Sequence, residues 1–164
     1  MQLLEKIKKQ KAVVAIIGLG YVGLPLALAF LEKKYQVIGL DIDKIKIDSL
    51  KSGKSYLNHI PDELLTSHLS SRSFIPSTSF KKIKQADVVI ICVPTPLNKF
   101  REPNLQPVMD SASYIKDNIK KDQLIILESS TYPGTTDDLL SKELELSGLK
   151  TNKDFYLAYS PERE

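Results

Sequence analysis

Residues 12–25 have the sequence AVVAIIGLGYVGLP, an apolar run in which Gly18, Gly20 and Gly23 are spaced as G-x-G-x-x-G. The residues before Gly18 have the composition of a buried strand and those after Gly23 that of an apolar helix, which is the context that this spacing requires. In such a unit the first glycine permits a tight turn, and the second lets the backbone approach a pyrophosphate. The third lets helix and strand pack closely, so that the helix N-terminus faces the phosphates. We therefore predict a dinucleotide phosphate loop.

The next apolar run, YQVIGLD, ends at Asp41, eighteen residues after Gly23. An acidic residue at this distance is placed to accept hydrogen bonds from the adenosine ribose hydroxyls, and its charge repels a 2′-phosphate. Lys44 and Lys46 lie close by and offset part of that charge. The pattern favours NAD over NADP. The alternative is an ordinary glycine turn before a core helix, with Asp41 an incidental acid.

Strand-like and helix-like segments alternate along the rest of the chain. The apolar runs AVVAIIG, YQVIGLD, ADVVIICV, DQLIILES and DFYLAYS lack polar alternation, which is typical of strands covered on both faces. A further short strand is expected within residues 72–80, and a connection with a short helix within 53–65. The predicted helices are Tyr21–Lys34, Asp43–Lys51, Gln106–Ile119 and Thr135–Ser147. This order predicts an α/β fold, a Rossmann-type doubly wound parallel sheet with helices on both faces.

Composition narrows the class of protein. The 164 residues suffice for one domain, and 42% hydrophobic with 26% charged residues is an ordinary globular mixture. The net charge of +3 and the basic EKIKKQK stretch lack the aromatic or Gly/Arg-rich partner of a nucleic-acid arm, so no nucleic-acid partner is expected. One cysteine, Cys92, excludes an internal disulfide and any multi-cysteine zinc site, and no metal is expected. A cytoplasmic setting fits.

Residues 12–31 carry no charge, which is also the outline of a signal peptide or a membrane helix. The three glycines and Pro25 divide the run into two elements, and a buried strand followed by a buried helix explains the same hydropathy. No membrane partner is therefore expected. Pro25 is tolerable only if the helix begins late enough to place it in the first turn.

Three other strands are followed by proline- and hydroxyl-rich loops: CVPTPL, ESSTYPGTT and SPERE. The carboxyl ends of parallel strands form the ligand edge of an open sheet. The hydroxyls of Thr95, Ser130 and Thr131 are suited to bind a cofactor or substrate there. The alternative is that these loops merely end strands, with hydroxyls that bond the local backbone.

Together GLGYVGLPLA, DIDKIKI, CVPTPL, ESSTYPGTT and SPERE resemble the nucleotide-sugar 6-dehydrogenases, the UDP-glucose/GDP-mannose dehydrogenase family. The motifs follow the family's order over nearly the whole chain, and SYLNHIP with SPERE is most similar to the UDP-N-acetylglucosamine branch. The resemblance implies an NAD-dependent enzyme that oxidises the C6 alcohol of a UDP-sugar to a carboxylate in two steps, for surface polysaccharide precursors.

The resemblance also implies roles for particular residues. Thr131 would help to position a catalytic water and Glu162 would be the acid/base carboxylate. Asp41 and Lys46 would hold the adenosine ribose. The remaining cofactor contacts would be the phosphate-loop residues Gly18, Gly20, Tyr21, Val22 and Gly23, and the loop residues Val93, Pro94, Thr95, Pro96 and Ser130.

The family's cysteine nucleophile, central helix and UDP-sugar-binding domain have no counterpart in these residues. Cys92 is expected within the fourth strand as a small inert apolar side chain. We therefore expect residues 1–164 to be the N-terminal NAD-binding domain of a longer enzyme, inactive alone, whose full-length form is a homodimer or larger. Two alternatives remain open: an NAD-dependent hydroxyacid dehydrogenase domain, and a stand-alone NAD-binding sensory or interaction module.

Overall fold

Six parallel strands form the centre of the molecule, in the order β3-β2-β1-β4-β5-β6. The computed structural model describes residues 2–97, 99 and 103–160. The strands are β1 (Val13–Ile17), β2 (Gln36–Leu40), β3 (Phe74–Ser77), β4 (Val88–Ile91), β5 (Leu124–Leu127) and β6 (Tyr156–Tyr159). β1 pairs with both β2 and β4, so the strand order reverses between β1 and β4. This is the predicted doubly wound sheet, including the extra strand expected within residues 72–80.

Helical segments connect these strands. They are α1 (Leu3–Lys8), α2 (Gly23–Glu32), α3 (Lys44–Lys51), α4 (Asp62–Ser70), α5 (Gln106–Lys116) and α6 (Ser141–Glu145), with a 3₁₀ segment at Phe80–Gln85 and a π-helical turn at Thr135–Leu140. The uncharged stretch 12–31 is divided between β1 and α2. Within the described part of the chain, no helix is long and apolar enough to cross a membrane.

Successive side chains of β1 point to opposite faces of the sheet, and both faces are covered. Val14 and Ile16 belong to one buried cluster, with side chains of α2, α3 and α4. Ala15 and Ile17 belong to a second cluster, with side chains of α5 and α6. Burial on both faces explains why these strands show no polar alternation in the sequence.

All four predicted helices have different boundaries in the structure. α3 begins at Lys44 rather than Asp43, and α5 ends at Lys116 rather than Ile119. The short helix expected within 53–65 is α4, which begins at Asp62 and continues to Ser70.

α2 begins at Gly23 rather than Tyr21, which places Pro25 in the first turn, where no intrahelical partner is lost. The predicted helix 135–147 is instead a π-helical turn followed by the short α6. The π-helical turn begins after Gly134, whose φ is +89°.

The amino edge of the sheet is held by Asp87, a buried carboxylate just before β4. It accepts hydrogen bonds from the Val13 amide at 3.0 Å and from Lys6 of α1 at 2.7 Å, and Lys120 lies 3.6 Å away. Burial tends to raise the pKa of this carboxyl, but the hydrogen bonds and the two lysines outweigh it, so the pKa is lowered. The basic N-terminal stretch thus begins as a helix that is tied to the sheet.

Candidate functional site

A cleft of about 810 Å³ lies at the carboxyl edge of the sheet, at the reversal between β1 and β4. Open α/β sheets bind ligands at this position, because the connections on either side of the reversal leave in opposite directions. Most of the predicted cofactor residues line it: Gly18, Gly20, Tyr21, Val22, Asp41, Lys46, Val93, Pro94, Thr95 and Ser130. Gly23 packs behind the loop, and Pro96 is not part of the lining.

Each glycine of the phosphate loop has a different environment. Gly18 has a φ of +89°, and a Cβ there would lie 2.8 Å from the Cys92 carbonyl oxygen. A Cβ on Gly23 would lie only 1.8 Å from the Gly18 carbonyl oxygen. A Cβ on Gly20 would meet nothing within 4 Å, because Gly20 faces the open cleft. Gly18 and Gly23 are thus needed for the turn and the packing, and Gly20 leaves room for a ligand.

The N-terminus of α2 provides unpaired backbone donors. The amides of Gly20, Tyr21 and Val22 donate to no backbone acceptor of the described residues. The first turn of α2 contains no acidic side chain, whereas α3 is capped by the preceding Asp43, whose carboxylate accepts from the Ile45 and Lys46 amides. A helix N-terminus with unpaired backbone N–H groups and no carboxylate of its own favours the binding of an anion. These features fit the pyrophosphate of a dinucleotide.

Asp41 makes structural contacts that the sequence did not reveal. Its Oδ2 accepts a hydrogen bond from the Leu19 amide at 2.8 Å and its Oδ1 accepts one from the Asp43 amide at 2.9 Å. Lys46 Nζ lies 3.8 Å from Oδ2. An ionised carboxylate has about four acceptor positions, so capacity remains for ribose hydroxyls. Asp41 therefore braces the phosphate loop, and Lys46 lies beside it.

Tyr56 is a further residue that sequence reasoning missed. Its hydroxyl donates a hydrogen bond to the Leu19 carbonyl, and Lys46 Nζ lies 5.9 Å from the centre of its ring. Burial, followed by the charges of Asp41 and Asp43, raises the pKa of the phenol above its ordinary value. The 37 positions between Tyr56 and Leu19 explain why no local pattern indicated this contact.

The loops after β4 and β5 are joined by side-chain hydrogen bonds. Thr95 Oγ1 donates to the Ser130 carbonyl at 2.8 Å, and Ser129 Oγ donates to the Val93 carbonyl at 2.7 Å. The hydroxyl of Thr95 is thus used within the protein but keeps acceptor capacity towards the cleft. Ser129, which was not predicted as a site residue, fixes the two loops as one wall.

An aromatic pair forms part of the far wall of the cleft. The Phe80 and Tyr114 rings stack with centroids 4.1 Å apart and planes inclined by 19°. Both rings line the cleft, together with Ile42, which is 75% exposed at its rim. Such an apolar surface suits a planar base. The two rings come from segments far apart in sequence, so only the fold brings them together.

Thr131 lies beside this cleft rather than in it. It lines a smaller cavity of about 320 Å³ with Tyr132–Gly134, Thr136, Asp137 and Leu157–Tyr159 of β6. Glu162, the predicted acid/base carboxylate, lies outside the described residues. Cys92 follows β4, which ends at Ile91, rather than lying within the strand as predicted; it is buried against the phosphate loop. No cluster of metal-binding side chains occurs within 2–97, 99 and 103–160.

The sequence and the fold of this chain are similar to those of known proteins. The family model described as "UDP-glucose/GDP-mannose dehydrogenase family, NAD binding domain" matches residues 12–164. UDP-N-acetyl-D-glucosamine 6-dehydrogenase of Salmonella typhi is 39% identical over 92% of this chain and 35% of its own length. UDP-N-acetyl-D-mannosamine dehydrogenase of Methanococcus aeolicus is 37% identical over 94% of this chain and 35% of its own length.

A crystal structure of GDP-mannose dehydrogenase from Pseudomonas aeruginosa superposes with a TM-score of 0.87 at 30% identity, covering 92% of this chain and 36% of that one. The chain therefore spans about a third of the length of the relatives that it matches. The family and the NAD cofactor expected from the sequence motifs are both confirmed by these matches. They select this family over the hydroxyacid dehydrogenases.

Proposed function

This chain belongs to the UDP-glucose/GDP-mannose dehydrogenase family as an NAD-binding domain, and on that premise we propose that it is the cofactor-binding part of a UDP-N-acetylglucosamine 6-dehydrogenase. The proposed reaction converts the C6 alcohol of the sugar to a carboxylate. The observation that carries the proposal is the cleft at the strand-order reversal, where the open amides of α2 and the Asp41 carboxylate line one continuous site.

The residues of this chain would bind the cofactor in the following way. The amides of Gly20, Tyr21 and Val22 hold the pyrophosphate, since they face the cleft without backbone partners. Asp41, with Lys46 beside it, accepts the ribose hydroxyls. The wall that Val93, Pro94, Thr95 and Ser130 provide orients the remainder of the dinucleotide; Pro96, also predicted as a contact, does not line the cleft. The bound NAD would supply the hydride acceptor that each of the two oxidations at the sugar carbon requires.

The roles of Thr131 and Glu162 are proposed from the family motifs. Thr131 lines the smaller cavity next to the cleft, which is a suitable position for a residue that orients a water molecule near the sugar. Glu162 would act as general acid and base, as a carboxylate at the end of a strand can do. Release of the oxidised sugar as a carboxylate requires such a water, because the second oxygen of the product comes from it.

The substrate proposal rests on the Salmonella typhi relative and on the SYLNHIP and SPERE segments. UDP-N-acetylmannosamine is the competing substrate, since a relative of similar identity acts on it by name. We further propose that the complete enzyme is a homodimer or larger assembly that works in the cytoplasm and supplies polysaccharide precursors.

Three measurements test this function. Isothermal titration of the 164-residue chain with NAD should give saturable binding, and mixing it with NAD and UDP-sugars should give no increase in absorbance at 340 nm, because the proposed sugar-binding part is not included. The protein encoded by the complete reading frame should then reduce NAD with UDP-N-acetylglucosamine faster than with UDP-N-acetylmannosamine, UDP-glucose or GDP-mannose. Turnover by the 164 residues alone, or preference for another sugar, would contradict the proposal.

A further inference from the structure

Leu19, between the first two glycines of the phosphate loop, has both of its backbone polar groups held by side chains. Its amide donates to Asp41 Oδ2 at 2.8 Å, and its carbonyl accepts from the Tyr56 hydroxyl. The Leu19 side chain is fully buried. The position of Leu19 is therefore fixed by its packing and by two side chains of the connection between β2 and β3.

The carbonyl of Leu19 and the N–H of Gly20 belong to the same peptide plane. In a trans peptide these two groups point in opposite directions, and no cis peptide bond occurs in the described chain. Gly20 lines the cleft, whereas Tyr56 does not. A hydroxyl that holds the Leu19 carbonyl on the protein side thus holds the Gly20 N–H on the cleft side.

Tyr56 is itself well anchored. Its ring packs against the buried cluster that contains Leu19, and the neighbouring side chains Leu57 and Ile60 are 5% and 7% exposed. The Ser55 amide donates to Asp62 Oδ1 at 2.7 Å, which ties the connection to the start of α4. The raised pKa keeps the phenol protonated, so the hydroxyl remains a donor at neutral and moderately alkaline pH.

We propose that Tyr56 is a positioning residue for the cofactor: through the Leu19 carbonyl, its hydroxyl orients the Gly20 N–H towards the pyrophosphate of NAD. This inference rests on the proposed function, since it assumes that the phosphates lie against the α2 N-terminus. Tyr56 does not line the cleft, and the proposed effect of its hydroxyl passes through the phosphate loop.

Replacing Tyr56 by phenylalanine removes only the hydroxyl. A hydrogen bond of this kind contributes roughly a three- to tenfold change in an equilibrium constant. The Y56F variant should therefore bind NAD about three- to tenfold more weakly by isothermal titration. The matched control is Tyr35→Phe, because the Tyr35 hydroxyl also donates to a backbone carbonyl, that of Ile7 at 2.9 Å, far from the cleft. Y35F should bind NAD within about twofold of wild type, because distant sites without shared partners act independently.

A spectroscopic measurement separates positioning from a general loss of stability. In ¹⁵N–¹H spectra of the protein without NAD, Y56F should shift the Gly20 amide resonance, and Y35F should leave it in place. An unchanged Gly20 resonance, an unchanged NAD affinity in Y56F, or equal weakening by Y35F would each overturn the inference. If wild type does not bind NAD at all, the proposed function fails; titration with inorganic pyrophosphate, followed at the Gly20 amide in wild type and Y56F, still decides the role of Tyr56.

Discussion

Substituting Gly23 by alanine should disrupt the packing of the phosphate loop against the start of α2 and lower the stability of the domain. The added Cβ would lie 1.8 Å from the Gly18 carbonyl oxygen, whereas ordinary contacts are 3.4–4 Å, so backbone must move by about 1.6 Å. Gly18 cannot retreat freely, because its amide is held by a hydrogen bond to the Leu40 carbonyl at 2.8 Å. Overpacking against side chains costs about 1–3 kcal/mol, and a backbone clash belongs at the upper end of that range. The better helix propensity of alanine returns at most about 1 kcal/mol.

The net loss of roughly 2–3 kcal/mol corresponds to a fall in Tm of about 4–12 °C for a domain of this size. Gly20→Ala is the matched control, since its Cβ would meet nothing within 4 Å. It should leave Tm within about 2 °C of wild type but weaken NAD binding, because the methyl group enters the space of the ligand. Thermal unfolding followed by circular dichroism, with NAD titration of both variants, separates the two effects. Gly23→Ala with a wild-type Tm would refute this account of the loop.

Three other changes have definite expected results. Asp41→Asn should weaken NAD binding and reduce the preference for NAD over NADP, because the charge that repels a 2′-phosphate is lost. Titrations with NAD and with NADP measure the two affinities. If neither affinity changes, Asp41 does not bind the ribose. Asp87 has a folded pKa below its ordinary 3.8, so it stabilises the fold above about pH 4 and this stability is lost as pH falls through the folded pKa. Asp87→Asn should therefore lower the urea midpoint at pH 7. The midpoint of this variant should also fall less than that of wild type between pH 5 and pH 3. An equal fall in both proteins would show that the Asp87 carboxyl does not cause the loss of stability at low pH. Thr95→Val removes the hydrogen bond to the Ser130 carbonyl and should cost about 1 kcal/mol in urea unfolding with a few-fold weaker NAD binding; an unchanged midpoint and affinity would show that the two loops need no such link.

The strands and the phosphate loop were predictable because their signals are local. Burial on both faces leaves uninterrupted apolar runs, and the three glycines occur directly between a strand and a helix. The helix at 135–147 was predicted with the wrong form, because hydrophobic spacing does not distinguish an α-helix from a π-helical turn followed by a short α-helix.

Other parts of the site depend on contacts that no local pattern encodes. Tyr56 reaches Leu19 across 37 positions, and Phe80 meets Tyr114 only because α5 packs on the same face as the 3₁₀ segment. Asp41 was predicted from its position after β2, but its bond to the Leu19 amide required the folded loop. Sequence therefore predicts which groups reach the ligand edge, and the structure is needed to show which groups hold them there.

We propose that this chain binds NAD in the cleft at the carboxyl edge of the sheet, where the strand order reverses between β1 and β4. Titration of the ¹⁵N-labelled protein with NAD locates the binding site. We predict saturable shifts of the amides that line the cleft, above all those of Gly20, Tyr21, Ile42 and Thr95, with little change at Val13 near the amino edge of the sheet. Absence of saturable shifts, or shifts centred on the Asp87 edge, would contradict the account.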